Sequence, residues 1–400
     1  MKITRRIVSF VLILCVPAVL LAGREKKPAA PANYLAFVGT YTTKTDSKGI
    51  NVFSFDASTG KMTQAHLAAE SADPSFVAVH PNGKYLYAVN EAGKNSMVSA
   101  FAINATDGNL TLLNQLPALG EDPCYISFDR TGKYVLIANY TSGNIAVFPI
   151  LADGKLGEHT ALVKDDGDLG PNKERQEAPH AHWIEASAGN RFAYVSDLGL
   201  DRVLIYKFDS SSGTLMAGEK ATPAPKTGSA GAKDPFSATL APGTGPRHVA
   251  FSANGDFMYV LGELNSTVTV FANDGRDAFR AVQTISALPA GFSGRNDAAE
   301  IAIHPNGKFL YTSNRGNESI AVFAIRKGKG TLTLLANVPT GGKEPRHFAI
   351  DPTGHYLLAE NQFSNNIVEF RIDPSNGNLT PTGEVISAPS PVCIQFLPAH

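Results

Sequence analysis

Six segments of the chain repeat one pattern: a Gly or Asn turn, a basic or polar residue, then an aromatic-rich apolar run. They are HPNGKYLYAVNE (80–91), DRTGKYVLIANY (129–140), SAGNRFAYVSDL (187–198), SANGDFMYVLGE (252–263), HPNGKFLYTSNR (304–315) and DPTGHYLLAENQ (351–362). A seventh copy without the turn, YLAFVGTY, occupies 34–41. The marker turn residues are Gly83, Gly132, Asn190, Gly255, Gly307 and Gly354, at intervals of 49, 58, 65, 52 and 47 residues. Asn190 rather than Gly189 holds the third marker, because this choice aligns the following run and Asn tolerates the left-handed turn that Gly supplies. The two long intervals contain Gly/Pro/Ala-rich insertions, at about 152–180 and 218–245.

Each copy is followed by a second unit in which an alternating apolar strand, a turn and a short strand succeed one another, as in NNIVEFRIDPSNGNLTPT. Period-two alternation between turn clusters predicts strands. Each copy is also preceded by a first strand, such as DPCYISFD or EPRHFAID. Four strands in about 50 residues, repeated seven times, predict an all-β, seven-bladed β-propeller. The last segment, SPVCIQFLP, is a first strand with nothing after it, and YLAFVGTY lacks one. The N- and C-termini are therefore expected to share the closing blade, which removes the open edges of the sheet.

Before the repeats, Lys2, Arg5 and Arg6 precede a predominantly apolar stretch, Ile7–Ala22, of 16 residues. This order is that of a secretion signal, and the stretch is short for a spanning helix. The expected organisation is a signal peptide at 1–23, a polar tether at 24–33 and the propeller at 34–400, with an uncleaved anchor as the alternative. The expected location is periplasmic or secreted. With 43% hydrophobic and 18% charged residues and a net charge of −1, the chain is neither disordered nor generally attractive to nucleic acid. Three Cys exclude a disulfide scaffold.

Chemistry is expected on one rim of the channel, where the start of each first strand meets the end of the second. Eight residues before the markers stand Ser75, Cys124, His182, Arg247, Ala299 and Arg346, with Val392 in the closing blade. Eight after stand Glu91, Tyr140, Leu198, Glu263, Arg315 and Gln362, with Thr40 at the start. Polar type varies there while the surrounding pattern stays fixed, which marks a composite site. Cys124 and Cys393 fall two blades apart, so no disulfide is expected. The bland alternatives are specific. Arg247 and Arg346 could pair with Glu300 or Glu360; Asn139, Asn314 and Asn361 read as turn formers; His80 and His304, beside Pro-Asn-Gly turns, read as exposed, and His180 as a loop residue. HAH (180–182) is a weak metal pattern, and no metal is expected.

The segments VGTYT (38–42), APHAHW (178–183), SDLGLDRVLIYKF (196–208), GPRHVAF (245–251), VLGELNSTVTVF (260–271), AAEIAIHPNGKFLYTSNRG (298–316) and EPRHFAID (344–351) together resemble the lactonase propellers of the 6-phosphogluconolactonase type, related to carboxy-muconate lactonising enzymes. The resemblance spans nearly all of 34–400 and implies a catalytic set of one His, two Arg and one Glu: His182, Arg247, Glu263 and Arg315. Arg346 and His248 are expected to contact substrate. The implied activity is cofactor-free hydrolysis of a sugar lactone by a monomer, with Glu263 or His182 as base and the other as acid. The alternatives are muconate-type lactonisation and a non-catalytic binding module. An export segment conflicts with a phosphorylated, cytoplasmic substrate, so a free lactone is expected to serve as well as its 6-phosphate.

Overall fold

The computed structural model describes residues 33–216, 237–273 and 279–399. The expected signal peptide and all of the expected tether but Asn33 lie outside the described residues, as do parts of the second insertion. Among the described residues the one helical segment is a single 3-10 turn, Gly93–Asn95. No helix there is long and apolar enough to cross a membrane.

The strands form seven antiparallel sheets, each a meander from an inner to an outer strand. The first strands of blades I to VI are Phe76–Val79, Pro123–Phe128, Ala181–Ala186, Pro246–Phe251, Asp297–Ile303 and Pro345–Ile350. In the seventh blade the C-terminal strand Pro391–Pro398 is innermost and pairs with the N-terminal strand Asn33–Thr40, with Phe37 opposite Gln395 and Val38 opposite Ile394. The sequence expectation of a shared closing blade is met. Gly39 sits where this blade approaches the first: a Cβ there would lie 2.5 Å from the Pro74 carbonyl oxygen.

Burial follows strand position. The second strand Tyr134–Asn139 is buried along its whole length, whereas the outer strand Leu379–Ser387 is mostly exposed. Second strands are covered on both faces by neighbouring blades, so they read as continuous apolar runs rather than alternations. Apolar clusters link each blade to the next around the ring. Tyr34 and Phe55 of blade VII meet Tyr356 and Leu358 of blade VI, and Leu136 and Val147 of blade II meet Val195 and Tyr206 of blade III.

The marker turns stand at the opposite ends of these strands from the predicted site. Asn190 is left-handed there, with φ of 55°, and its side chain donates to Asp129 of the neighbouring blade at 2.8 Å. His80 and His304 differ from expectation. Each is tied between blades rather than exposed: His304 Nε2 donates to the Gly354 carbonyl and His80 Nε2 to that of Gly132, both at 2.8 Å. In each, Nδ1 accepts from the next turn's amide, Asn306 or Asn82, which fixes the tautomer.

The second insertion splits an outer strand. Thr214–Met216 and Ser237–Thr239 both pair with Arg202–Asp209, so two short pieces fill one strand's place. The asparagines expected to form turns are instead buried latches. Asn139 donates to the Ala118 carbonyl, Asn314 to that of Ala287 and Asn361 to that of Thr340, each reaching the segment that enters its blade. Cys124 and Cys393 are free and buried, as expected. Replacing Asn314 by Ala removes one of two donors to the Ala287 carbonyl, which Asn337 Nδ2 still bonds at 2.7 Å, so stability should fall by about 0.5–1.5 kcal/mol. A denaturant melt checks this, and a loss of less than about 0.5 kcal/mol would show that the latch contributes little beyond an average surface position.

Candidate functional site

The predicted meeting of strand ends is present. The amides of Glu91, Tyr140, Glu263 and Gln362 donate to the carbonyls of Asp73, Asp122, Gly245 and Glu344 at 2.8–3.0 Å. The first strands are irregular at the same level. Register slips at Cys124, at His182, at Arg247 and His248 together, at Ala299 and Glu300 together, and at Arg346. A bulge re-aims side chains that a regular strand would alternate. Arg247 and His248 are adjacent, yet both turn into the channel. His248 packs against His182 of blade III and Phe76 of blade I, at ring separations of 5.2 and 6.0 Å.

Glu263, at the end of a second strand, is the centre of the cluster. Arg175 Nη2 donates to its Oε1 at 2.6 Å, and Arg315 Nη2 lies 3.2 Å from the same oxygen. Arg247 Nε stands 3.2 Å from Oε2, as an ion pair outside hydrogen-bond alignment, while its Nη1 donates to the Ala299 carbonyl at 2.6 Å. His182 Nε2 is 4.0 Å from Oε2. The four residues expected to be catalytic are thus brought together. They are also more enclosed than a rim position implied, since all four are buried.

Burial alone would raise the Glu263 carboxyl, but Arg315, Arg247 and Arg175 outweigh it and hold it at about 2. Burial drives His182 the other way, well below 6.5, and the Arg247 charge adds to this. Burial and the neighbouring Arg315 and Arg346 lower Arg247 to about 10. At neutral pH the cluster therefore holds an ionised carboxylate, three guanidinium groups and a neutral imidazole. Two further carboxylates, Asp297 near Arg175 and Glu344 near Arg315, stand 3.6 Å off at the wetter edge. His182 Nδ1 lies 3.6 Å from Cys124 Sγ. Burial raises that thiol, so the pair is a neutral thiol and a neutral imidazole rather than a reactive thiolate.

Arg346 and His248 line one small cavity together with Arg247, Glu91 and Cys124, but they bond different partners. Arg346 pairs with neither Glu300 nor Glu360: it donates to the Tyr41 hydroxyl at 2.9 Å, and that hydroxyl donates to Glu91 at 2.7 Å. Tyr41 and Glu91 line an open pocket of about 1040 Å³ above blades VI, VII and I, with Gln362 and Phe363 on its wall. His248 is not on the wall of that pocket and lines the small cavity instead. Its Nδ1 meets Glu300 at 2.9 Å, Glu300 also lies 3.4 Å from His347, and His347 bonds Glu360. Burial, only partly offset by Glu300, lowers His248 to about 4. The carboxylates proposed as partners for the arginines thus serve two histidines instead.

Two residues of the first insertion escaped sequence reasoning. Arg175 reaches Glu263 from outside the repeat, so no repeat position could reveal it. Gln176, fully enclosed, ties the loop down by donating to the Leu198 carbonyl and to Asp201 at 2.9 Å. His180 is buried rather than a free loop residue. It stacks on Tyr140 at 4.6 Å, and its Nε2 meets Glu177. Among the described residues no group of three or more His, Cys, Asp or Glu side chains is placed to hold a metal ion.

This fold has counterparts in known proteins. The family described as "Lactonase, 7-bladed beta-propeller" matches residues 35–396. A 6-phosphogluconolactonase of Bacillus subtilis (strain 168) is 35% identical over 365 residues, covering 91% of this chain and 98% of its own length. A 6-phosphogluconolactonase of Formosa agariphila is 35% identical over 319 residues, 78% of this chain and 84% of that protein. The solved structure of a Pseudomonas aeruginosa periplasmic gluconolactonase superposes with a TM-score of 0.83 at 30% identity, over 92% of this chain and all of that one. The chain is a lactonase and belongs to the seven-bladed β-propeller lactonase family.

Proposed function

We propose that the protein is an exported hydrolase that opens a sugar lactone, an aldonolactone, without a cofactor and without strong preference for a 6-phosphate. The observation that carries this reading is the neutral, buried His182 beside a carboxylate kept ionised by three arginines. With its proton on Nδ1, toward Cys124, the imidazole presents Nε2 to the cluster. As water attacks the ring carbonyl, Nε2 takes the water proton while the new C–O bond forms. The oxyanion that develops faces Arg247 and Arg315, whose charges are fixed before reaction. The intermediate then collapses, the ring C–O bond breaks, and His182 returns its proton to the departing alkoxide. The product is the hydroxy acid, which ionises. Glu263, held at about 2, is too weak a base for this role. It orients the guanidinium groups and steadies the transient imidazolium.

The location and substrate rest on the N-terminal stretch and on the likeness to a periplasmic gluconolactonase. A phosphorylated sugar seldom reaches an exported enzyme, so selection for the phosphate is not expected. Purified protein should release acid from both gluconolactone and its 6-phosphate, after subtraction of spontaneous hydrolysis. The two kcat/KM values should differ by less than about a hundredfold, or roughly 2.7 kcal/mol. No rate above background on any aldonolactone would favour a binding module, and a larger preference for the phosphate, or a cytosolic full-length chain, would overturn the substrate and location reading.

His182→Asn should lower kcat by about 10²–10⁴-fold with little change in melting temperature. Because the folded environment lowers this histidine well below 6.5, it stays deprotonated through neutrality and gains its proton only in acid. The kcat/KM profile should therefore be flat near pH 7, with its acid limb below 6.5. A limb at or above that value would exclude His182 as the base.

A further inference from the structure

Of the three arginines on Glu263, Arg175 alone comes from an insertion rather than from the repeated strands. It alone also reaches water: its side chain is 31% exposed, against 4% for Arg247 and 7% for Arg315. Its backbone is nevertheless fixed. Asn172 accepts from the amides of Arg175 and Gln176, and the buried Gln176 side chain holds the neighbouring position to the Leu198 carbonyl and Asp201. Only the side chain is left to move. In the closed arrangement its Nη2 bonds Glu263 Oε1 and approaches the Tyr140 hydroxyl at 3.3 Å, while Nη1 lies 3.6 Å from Asp297.

Arg175 is not the sole cation on Glu263. Arg247 and Arg315, both buried with it, already lie 3.2 Å from its two oxygens. Arg175 instead lies between solvent and the Glu263–His182 pair, both of which are buried. Ring opening then creates a new carboxylate beside an existing one. Two anions in a low-dielectric pocket repel each other unless a cation is shared between them.

Resting on the lactonase reading, we propose that Arg175 is a substrate-gated latch and the anchor of the acidic product. Its guanidinium leaves Glu263 Oε1 to admit the lactone, and after ring opening it pairs with the carboxylate of the hydroxy acid. The planar fork suits a carboxylate in either position. Tyr140, held by its stack on His180, marks the closed position, and Asp297 offers a resting partner at the edge.

The test uses Arg175→Ala and Arg175→Lys in the full chain, with gluconolactone as substrate and gluconate as product. Arg175→Ala should raise the gluconate inhibition constant by about tenfold or more, a loss within the range of one charge-assisted contact, and should leave the KM for the uncharged lactone unchanged or lower. Lys, which keeps the charge but not the fork, should recover part of the loss. Calorimetric titration of gluconate into wild type and variants should show the same order. Gluconate affinity within about twofold of wild type in Arg175→Ala, or a lactone KM raised about tenfold or more, would overturn the latch. So would losses that follow a lowered melting temperature, with Lys no better than Ala. Wild-type protein inactive on every aldonolactone would instead overturn the lactonase reading on which the latch rests.

Discussion

A charge enclosed between seven converging strands cannot keep its water, so each one must be given a partner. Desolvating an ion costs several kcal/mol unless opposite charge and hydrogen bonds replace the solvent. The centre of this propeller is organised around that requirement. One group of ionisable residues, His248, Glu300, His347 and Glu360, forms a contiguous chain across three blades. The other, Glu263 with Arg175, Arg247 and Arg315, gathers positive charge around one carboxylate. The first group consumes its charges internally. The second keeps its cations close to a neutral imidazole, where an anion formed during reaction can use them.

Bulges make this partition possible. In a regular strand Arg247 and His248 would face opposite sides, and so would Ala299 and Glu300. Slipping the register at these positions brings adjacent side chains into the channel together, so one short strand serves both groups. The repeat made the strands legible, because blades stack face to face and impose the same apolar run seven times. It also made the level of the site legible, since the ends of first and second strands must meet. The bulges were not legible. They leave no composition signature, and a period-two reading assigns each residue one side.

The differences between expectation and structure have the same source. Glu300 and Glu360 looked like partners for Arg247 and Arg346, but once bulged His248 and His347 turn inward they are the nearer groups. Asn139, Asn314 and Asn361 looked like turn residues because they precede turns. Their amides point back to carbonyls that would otherwise be buried without these donors. His80 and His304 looked exposed because Pro-Asn-Gly turns usually are, yet neighbouring blades bring another turn within reach of the ring. These contacts reach from one blade or its entering segment to another element, except that of His347 with Glu360, which are partners on paired strands of blade VI. A single repeat contains no information about its neighbour's surface, and Arg175 lies outside the repeat altogether.

The same residues would serve ring closure or ring opening, because the acid and base steps are reversed and the oxyanion is common to both. The arrangement of His182, Glu263 and the arginines therefore does not choose a direction, and the free energy of the ionised product does. Ring opening yields a carboxylic acid whose ordinary pKa is near 4, so at pH 7 its ionisation adds about three pH units, or roughly 4 kcal/mol, in favour of the open form. A cation-rich pocket binds that open form well, which would slow release if every guanidinium were fixed. Arg247 and Arg315 are fixed by the carbonyls of Ala299, Asp297 and Ala298. Arg175 has no such carbonyl contact in the cluster and has water on one side. A site with two rigid arginines for the transition state and one movable arginine for the product can stabilise the oxyanion without retaining the acid.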